Sequence, residues 1–354
     1  MAASMIEIPE SKVVGQQNLE DFATKLLQAV AVPPDEARAV ATALVWSDLR
    51  ARFPQGVSRL PVFIQRVQRQ LITTPARLGW TTVAPAAAML DAQNAFGHIA
   101  GSAAMRKAIE LAKQNGIGAV TVSHSNLYGA AAYFVSLAAD ERCIGFTCTN
   151  AVAKVAPYGG MRAVFGTNPL AFGCPTSSGV PILIDLSTSA LAGSVARNLG
   201  ETGGSLPEGV ALNKNGFPTT NPADLSQGCL LPAAGPKGFG LGMMVDILCG
   251  VLSGAAMSHE VGSMYNTWDK PVNTGHFCGA IDIGKFQNVD AFLQRIDAMI
   301  EWVRAAGPDG EVRFPGEIRG EHAAMYARTG IPLPPETVKP LEKLAHELTV
   351  AAPW

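Results

Sequence analysis

The chain lacks the sequence signatures of several common nucleotide- and metal-dependent enzymes. No GxGxxG follows a strand-like run: GFGLG at residues 238–242 opens a helix-like segment without a clear strand before it. The usual dinucleotide-binding fingerprint is therefore not met. No GxxxxGK followed by Ser or Thr and no GxSxG is present, so a phosphate loop and a nucleophile elbow are not indicated. The six histidines form no HxxxH or HxH pair, and a zinc site is not expected.

Charged residues are scarce, at 16% of the chain, and the formal net charge is −2. This balance gives no electrostatic case for binding nucleic acid or an anionic membrane. Hydrophobic residues make up 48% of the 354 positions, which predicts a large buried core and a subunit interface. The length suits one large domain or two to three interleaved ones.

Membrane and secretion signals are also missing. The N-terminus has no basic region followed by an apolar run, so no secretory signal is predicted. The most apolar stretch, residues 238–257, carries Asp246 and five glycines, and we interpret it as a buried helix. Six cysteines without a CxxC pair are typical of small reduced core residues, and we expect a cytoplasmic protein.

The periodicity predicts helices at both ends of the chain with strands between them. Three apolar runs, which begin at residue 143 and end at residue 186, are interpreted as strands. These runs are residues 143–148, 169–174 and 180–186. The Gly-, Ser-, Thr- and Asn-rich segments between them would leave main-chain N–H groups free for an anionic ligand. On spacing alone, an ordinary sheet hairpin with a turn at residues 175–179 is the favoured interpretation. We predict an α/β fold with a large mixed sheet flanked by helices.

Further along the chain, residues 82–90 are predicted as one strand and residues 197–235 as a long Gly- and Pro-rich excursion. Loops of this length are usually lids, binding loops or interface arms. We expect an N-terminal helical part at 1–75 that carries substrate-site residues, a mixed-sheet core at 76–330, and a C-terminal helical segment at 331–354.

Several motifs resemble the malate/L-lactate dehydrogenase family of the type without a Rossmann domain. GTNP and DLSTS are the most specific, and all occur in the family's order over nearly the whole chain. The motifs are SDLRARFPQGVSRLP (47–61), SNLYGAAAYF (125–134), APYGG with FGTNPLAFGCP (156–175), IDLSTSALAG (184–193), GPKGFGLG (235–242), HFCGAIDIGKF (276–286) and RFPGE (313–317). The resemblance implies a sulfolactate-dehydrogenase-like mixed sheet, a homodimer, and NAD or NADP as cofactor.

By the same resemblance, three segments would hold the cofactor. Their residues are Asp185, Leu186, Ser187, Thr188, Ser189, Lys237, Gly238, Gly316, Glu317 and Ile318. Hydroxyls and N–H groups suit pyrophosphate and ribose, and Lys237 adds a point charge. Without the resemblance, DLSTS would be a strand end with a helix cap.

The chain departs from the family at both familiar acid–base histidines, which are Gln55 and Leu127 here. Glutamine can hydrogen-bond a carbonyl but cannot deliver a proton near neutral pH. A ketone reduced by hydride needs that proton, whereas a protonated imine does not. The loss is therefore less damaging to a cyclic-imine reductase than to a 2-hydroxy acid dehydrogenase.

Other residues could replace the missing acid or bind the substrate. His124 and Lys154 are candidate proton carriers, with a backbone-bonded loop histidine and a solvated loop charge as the plain alternatives. Arg59 is the candidate for the substrate carboxylate, against a surface ion pair. Asn126 would bind the substituent at the reacting carbon, and Asp48 would orient a neighbour or cap a helix.

The sequence thus predicts an NAD(P)-dependent oxidoreductase acting on a small 2-oxo/2-hydroxy acid or a cyclic 2-imino acid. Two alternatives remain. The protein could be a family member that only binds cofactor or a partner, or one that catalyses a different reaction. His98 and His276 lie in small, apolar surroundings, and we interpret both as core histidines.

Overall fold

A seven-stranded mixed sheet forms the centre of the protein, in a computed structural model that describes residues 10–308 and 310–354. Its order is β2-β3-β4-β10-β5-β6-β7, and two small sheets pair β1 with β11 and β8 with β9. The strands are β1 (Lys12–Val14), β2 (Gly79–Ala84), β3 (Ala87–Asp91), β4 (Ile117–Ser125), β5 (Cys143–Thr149), β6 (Leu170–Cys174), β7 (Ile182–Leu186), β8 (Ala211–Leu212), β9 (Cys229–Leu230), β10 (Thr274–Asp282) and β11 (Ile331–Leu333).

Helices flank this sheet and cover both ends of the chain. They are α1 (Gln16–Gln28), α2 (Pro34–Asp48), α3 (Leu60–Gln68), α4 (Gly97–Asn115), α5 (Ala131–Asp140), α6 (Gly193–Glu201), α7 (Pro236–Asp246), α8 (Val289–Arg304), α9 (Glu317–Thr329) and α10 (Pro335–Glu347). Strands β3 and β4 are parallel, while the other neighbours in the large sheet are antiparallel. The predicted α/β fold with a mixed sheet is confirmed.

Small residues let α4 and α5 lie close to the sheet. A Cβ on Gly118 would stand 2.1 Å from the carbonyl oxygen of Ala108 in α4, and one on Gly173 would stand 2.6 Å from that of Val135 in α5. Buried Val120, on the internal strand β4, is part of the core between these layers. The close approach lets short side chains fill the interior at normal packing density.

The N-terminal helices share one hydrophobic core with the end of the chain. Leu26, Leu44 and Phe63 pack with Leu341 and Ile331 in this core, and β1 pairs antiparallel with β11. The division into 1–75, 76–330 and 331–354 stays a prediction, while the first and last of these parts are held together by burial.

Two local predictions need correction here, and a third, on the apolar stretch 238–257, follows below. Residues 82–90 are not one strand: β2 and β3 form an antiparallel hairpin that turns at Pro85–Ala86. The excursion 197–235 contains part of α6 and the pair β8 and β9, and it has a small core that includes Leu206, Ala211 and Leu230. The sequence pattern does not predict this packing, because the apolar residues are widely spaced between glycines and prolines.

The apolar stretch 238–257 is helical through α7 and a further wide turn at Ile247–Val251. It is not fully buried as predicted. Leu241, Ile247, Val251 and Leu252 are 40–61% exposed, so only one side of this segment faces the core. No helix among residues 10–308 and 310–354 is long and apolar enough to cross a membrane.

The cysteine and core-histidine predictions are confirmed. All six cysteines are buried and free of disulfides. His98 and His276 are buried, and burial lowers the pKa of each imidazole to about 3. His276 Nδ1 lies 2.8 Å from Thr149 Oγ1 and its Nε2 lies 2.8 Å from Ser125 Oγ, so both ring nitrogens are satisfied without a charge.

Arg66, on α3, fixes a loop that will form one wall of the site. Its side chain is completely buried. It donates hydrogen bonds to the backbone carbonyls of Met264, Thr267 and Lys270, with the shortest bond, to Thr267, at 2.8 Å. Buried carbonyls need such partners, and Arg66 therefore holds residues 264–270 in place.

We predict that Arg66→Leu lowers the free energy of unfolding by about 2–4 kcal/mol, because three carbonyls lose their buried donor. Urea unfolding measures the loss, and hydrogen exchange should show faster exchange in residues 264–270. Arg69→Leu is the matched control, since Arg69 is exposed and both guanidinium groups lie near the Trp268 ring, that of Arg66 at 5.4 Å and that of Arg69 at 4.8 Å from its centroid. An equal loss of unfolding free energy in the two variants would contradict the role of Arg66 in holding residues 264–270.

Candidate active site

A cavity of about 500 Å³, which we call the reaction cavity, opens where the N-terminal part meets the large sheet. Its walls are the turn at residues 51–59, the loop after β5, the end of β7, the start of α6 and the loop 262–265. Arg319 of α9 completes the lining. The reaction cavity therefore gathers residues from four of the seven motifs, 47–61, 125–134, 156–175 and 184–193, which are far apart in the sequence.

Arg59 is the main buried charge of the reaction cavity. It ends a short 3₁₀ turn, Val57–Arg59, is 6% exposed, and has a buried Nε without a hydrogen-bond partner. No carboxylate among residues 10–308 and 310–354 lies within ion-pair distance of it. Burial, with the positive charge of Arg197, lowers the pKa of its guanidinium to about 9. A buried, uncompensated cation of this kind favours an anionic ligand.

Lys154 lies at the rim of the reaction cavity, in the loop after β5. Its side chain reaches solvent, yet partial burial followed by the charges of Arg197 and Arg59 lowers the pKa of its ammonium. Lowering a lysine pKa toward neutrality makes the group a better proton donor. Lys154 thus combines access to solvent with a positively charged neighbourhood.

Gln55 and Leu127, which the resemblance places where the family has histidines, both line the reaction cavity. Gln55 is half-buried, and its Oε1 is buried without a hydrogen-bond partner. Leu127 packs against the N-terminal core. These two side chains offer an amide and an apolar surface and no titratable group.

Asp48 lies beneath the turn and does not line the reaction cavity. Its Oδ2 accepts a hydrogen bond of 2.8 Å from the Val57 N–H. A Cβ on Gly56 would stand only 1.8 Å from Asp48 Oδ1, so glycine is required for this close approach. Full burial raises the pKa of the Asp48 carboxyl well above its usual value of 3.8. Asp48 therefore supports the turn that carries Gln55 and Arg59.

We predict that Asp48→Asn becomes more stable relative to the wild type as pH rises from about 4.5 to about 7. The folded wild type keeps a proton that the unfolded chain releases above its ordinary pKa. Its free energy of unfolding therefore falls with rising pH until the raised folded pKa is passed. The amide of the variant accepts the same backbone bond without titrating. Urea unfolding at the two pH values measures the difference, and an equal difference at both would contradict the raised pKa.

Of the residues implied for the cofactor, Asp185 and Ser187 line the reaction cavity. Asp185, the last residue but one of β7, forms an ion pair with Arg52 and accepts a hydrogen bond of 3.1 Å from the Ala132 N–H. Arg319 lies near this pair, and burial followed by the charge of Arg52 lowers its pKa. This side of the cavity thus places two guanidinium groups, one carboxylate and a hydroxyl together.

The other implied cofactor residues do not line this cavity. Leu186 is exposed, and the Thr188 and Ser189 hydroxyls are buried and bond backbone carbonyls. Gly238 is buried, with the Thr188 carbonyl 2.6 Å from where a Cβ would stand, and Lys237 is exposed in the first turn of α7.

The third implied segment spans the start of α9. Gly316 adopts φ = 97°, which favours glycine. Glu317 is buried in ion pairs with Arg304 and Arg313, whereas Ile318 is exposed. The roles of all ten residues stay predictions.

The donor set at the end of β7 fits a phosphate-bearing dinucleotide. Arg52 and Arg319 supply positive charge, and the hydroxyls of Ser187, Ser194 and Thr167 line the same wall. Guanidinium and hydroxyl groups are the usual partners of phosphate oxygens, and a carboxylate such as Asp185 can accept from ribose hydroxyls.

His124 and Asn126 lie apart from the reaction cavity. His124 lines a separate cavity of about 620 Å³, and its Nδ1 lies 3.0 Å from Asp91 Oδ1 on the exposed edge. The Asn126 amide donates to the Asn94 backbone carbonyl at 3.0 Å, to the Asn94 side chain at 2.8 Å and to the Ala95 carbonyl at 3.0 Å. The structure does not bring either residue together with Arg59 and Lys154.

The sequence reasoning missed four residues that line the reaction cavity: Arg52, Arg197, Tyr265 and Arg319. Arg52 and Arg319 stand inside or beside recognised motifs, so their charge was a usable signal. Arg197 and Tyr265 lie in segments without a readable pattern. The Tyr265 ring centre is 5.6 Å from the Arg59 guanidinium and 4.4 Å from that of Arg197.

Comparison with known proteins supports this assignment. The profile of the malate/L-lactate dehydrogenase family matches residues 14–342. Malate dehydrogenase of Pyrococcus abyssi is 34% identical over 351 residues, with 95% of each chain covered. Ureidoglycolate dehydrogenase (NAD(+)) of Escherichia coli O157:H7 is 32% identical over 321 residues, covering 90% of this chain and 91% of that one.

One of the solved structures similar to this chain is that of a reductase. The crystal structure of delta1-piperideine-2-carboxylate reductase from Pseudomonas syringae pvar. tomato matches with a TM-score of 0.87 and 27% identity, covering 95% of this chain and all of that one. The chain belongs to the malate/L-lactate dehydrogenase family. It is an NAD(P)-dependent oxidoreductase of that family and transfers hydride between the nicotinamide cofactor and small 2-oxo or 2-hydroxy acids.

Proposed function

We propose that the protein reduces the C=O of a small 2-oxo acid, with Arg59 binding the substrate carboxylate and Lys154 donating the proton. The observation that carries this proposal is the buried guanidinium of Arg59, which has no carboxylate partner in the described chain and faces the same cavity as Lys154. A substrate carboxylate would supply the missing negative charge through two parallel hydrogen bonds.

The reaction divides between the cofactor and the side chains of the cavity. When bound, the reduced nicotinamide supplies the hydride that adds to C2 of the substrate. The substrate oxygen takes the proton of the Lys154 ammonium, which leaves a neutral amine. Because Lys154 reaches solvent, water can return the proton before the next turnover. Gln55 would hydrogen-bond the substituent at C2, and Asp48 keeps the turn in place from below.

The cofactor would lie against the wall at the end of β7, where Arg52, Arg319, Asp185 and Ser187 would hold it. The proposal leaves NAD and NADP open. Ser187 and the neighbouring backbone of β7 would contact the ribose and pyrophosphate, while the guanidinium groups neutralise phosphate charge.

Purified protein offered NADH and NADPH separately, first with 2-oxo acids and then with cyclic 2-imino acids, tests the proposal. Consumption of reduced cofactor with 2-oxo acids supports it. Consumption with the cyclic imines alone would contradict the proton-donating role of Lys154 and identify a C=N reductase. Cofactor binding without turnover on either class would contradict the reductase proposal.

We predict that Lys154→Gln lowers kcat/KM for 2-oxo acids by about 10²–10⁴-fold, the usual contribution of a general acid. Reduction of a protonated cyclic imine, if the enzyme accepts one, should change by less than about threefold, since the product nitrogen already carries its proton. Initial rates of reduced-cofactor consumption measure both. Lys285→Gln is the control, because Lys285 is exposed and outside the reaction cavity.

The pH dependence gives a second readout. The wild-type rate on 2-oxo acids should fall as pH rises through the lowered pKa of Lys154, below the ordinary lysine value of 10.5. That fall should be absent in Lys154→Gln. An unchanged pH profile in the variant would show that the proton comes from elsewhere.

We also propose a homodimer formed through the apolar face of α7 and the turn after it. Leu241, Ile247, Val251 and Leu252 recur at helical spacing and are 40–61% exposed. A contiguous exposed apolar surface of this kind is typical of subunit interfaces. A second copy would bury it and account for the high hydrophobic content of this stretch.

We predict that the double variant Ile247→Asp, Val251→Asp is a monomer, whereas the wild type has twice the chain mass. Size-exclusion chromatography with light scattering measures the mass. Trp302→Asp is the matched control, since Trp302 on α8 is 74% exposed but lies outside this face. A wild-type monomer, or a dimer in the double variant, would contradict the proposed interface.

We further propose a cytoplasmic location. All six cysteines are buried, unpaired thiols, and such cysteine usage is typical of reducing compartments.

A further inference from the structure

The reaction cavity continues into a second cavity of about 750 Å³, which we call the adjoining cavity. The excursion 197–230 and α6 form its outer wall. Five residues line both cavities: Val152, Lys154, Gly193, Arg197 and Ser263. A substrate held at Arg59 therefore has a continuous path past Lys154 and Arg197 into further space.

Arg197 stands at this junction with much of its charge unmatched. Its Nε lies 3.8 Å from Glu201 Oε1, a long contact to a side chain that is 65% exposed. No other acidic partner of Arg197 is found in the part of the chain that the structure describes. Burial lowers the pKa of its guanidinium, and its charge in turn lowers the pKa values of Arg59 and Lys154.

Three cations thus converge where the cavities meet, against one exposed carboxylate. Arg59 and Arg197 lie against the same Tyr265 ring, with guanidinium-to-centroid distances of 5.6 and 4.4 Å. A single substrate carboxylate on Arg59 would leave Arg197 and Lys154 repelling one another in a partly dry site. Repulsion between like charges is relieved best by a second anionic group.

Beyond Arg197 the lining is small and neutral. Apart from Lys154, Arg197 and Glu201, the adjoining cavity is lined by uncharged residues. These include Gly200, Gly204, Asn221, Gln227 and Asn266. Glycines leave room for a chain, and amide side chains offer hydrogen bonds to it without charge.

We propose that Arg197 binds a second anionic group on the substrate and that the adjoining cavity accepts its connecting chain, so that the preferred substrate is a 2-oxo diacid longer than four carbons. This inference rests on the proposed function, because it assumes that Arg59 holds the first carboxylate. Arg197 is assigned as a specificity-determining residue and takes no part in the proton transfer.

The first test compares wild-type kcat/KM for oxaloacetate, 2-oxoglutarate and 2-oxoadipate with 2-oxo monoacids of the same chain lengths. We expect each diacid to exceed its monoacid by at least about tenfold, the value of one charge-assisted hydrogen bond. The five- or six-carbon diacid should exceed oxaloacetate. Equal rates for diacids and monoacids, or oxaloacetate as the best substrate, would overturn the proposal.

Variants at Arg197 separate recognition from a structural role. Arg197→Gln should lower the diacid-to-monoacid ratio by about 10–100-fold, mainly through KM. Arg197→Lys should restore part of the ratio because the charge remains. A structural defect would lower activity on both substrate classes together and leave the ratio unchanged, which would count against the proposal.

Gly200 tests the adjoining cavity. It lies on α6 and lines only that cavity, and the nearest contact of an added Cβ is Pro222 Cβ at 3.4 Å. Gly200→Leu should lower the ratio of 2-oxoadipate to oxaloacetate activity by at least about tenfold, since a leucine occupies the path of the longer chain. Gly200→Ala is the matched control, and its ratio should stay within about twofold of wild type. Equal ratios in both variants would contradict the path.

Failure of the proposed function can be told apart from failure of this inference. If no 2-oxo acid is reduced, calorimetry with 2-oxoadipate and 2-oxohexanoate on protein saturated with oxidised cofactor still reports recognition, because that complex has no hydride to transfer. Tighter binding of the diacid that is lost in Arg197→Gln supports the inference without turnover. Equal affinities overturn it.

Discussion

The arrangement of the site depends on one buried guanidinium group that has no carboxylate partner within the described chain. Arg59 is almost fully enclosed, and its environment lowers the pKa of the group to about 9. Keeping a charge in such surroundings costs several kcal/mol unless an anion joins it. The cost is offset by the hydrophobic core shared by the two ends of the chain, in which Val57 and Leu60 are buried on either side of the charge. The fold thus holds an anion-binding group ready before a ligand arrives.

The same enclosure supports the proposal that Lys154 donates the proton. Lys154 has a lowered pKa because the cavity walls and the charges of Arg197 and Arg59 disfavour its ammonium. The buried histidines could not take this role, since His98 and His276 have pKa values near 3 and stay neutral. Asp48 is removed from the cavity and supports the turn instead. Charge placement by the core therefore assigns different tasks to residues that a sequence pattern alone treats as equal candidates.

Much of the fold could be predicted, because its main strands are apolar runs with clear ends and its long helices have a clean period. The hairpin β2–β3 was missed because its turn, Pro85–Ala86, carries no glycine or asparagine signal. The exposed face of α7 was missed for a different reason: hydrophobicity in sequence does not say whether the chain itself or a second copy covers a surface. In both cases tertiary context decided what local pattern could not.

The site was predictable where motifs carry it and not where distant segments meet. Gln55, Arg59, Asp185 and Ser187 were named from motifs and Lys154 from its place just before one, and all five line the reaction cavity. His124 was chosen for being three residues from Leu127, yet the end of β4 turns its side chain toward Asp91 and another cavity. Arg197 had no motif at all, and its importance follows only from the packing of α6 beside Tyr265.

The most direct test of the account compares the affinities of a 2-hydroxy carboxylate and its uncharged amide for wild-type protein saturated with reduced cofactor. Calorimetry gives both values in a complex that cannot react. If Arg59 awaits a carboxylate, the acid binds at least about tenfold more tightly than the amide. Equal affinities would contradict the account, because the buried guanidinium would then have no anionic ligand to recognise.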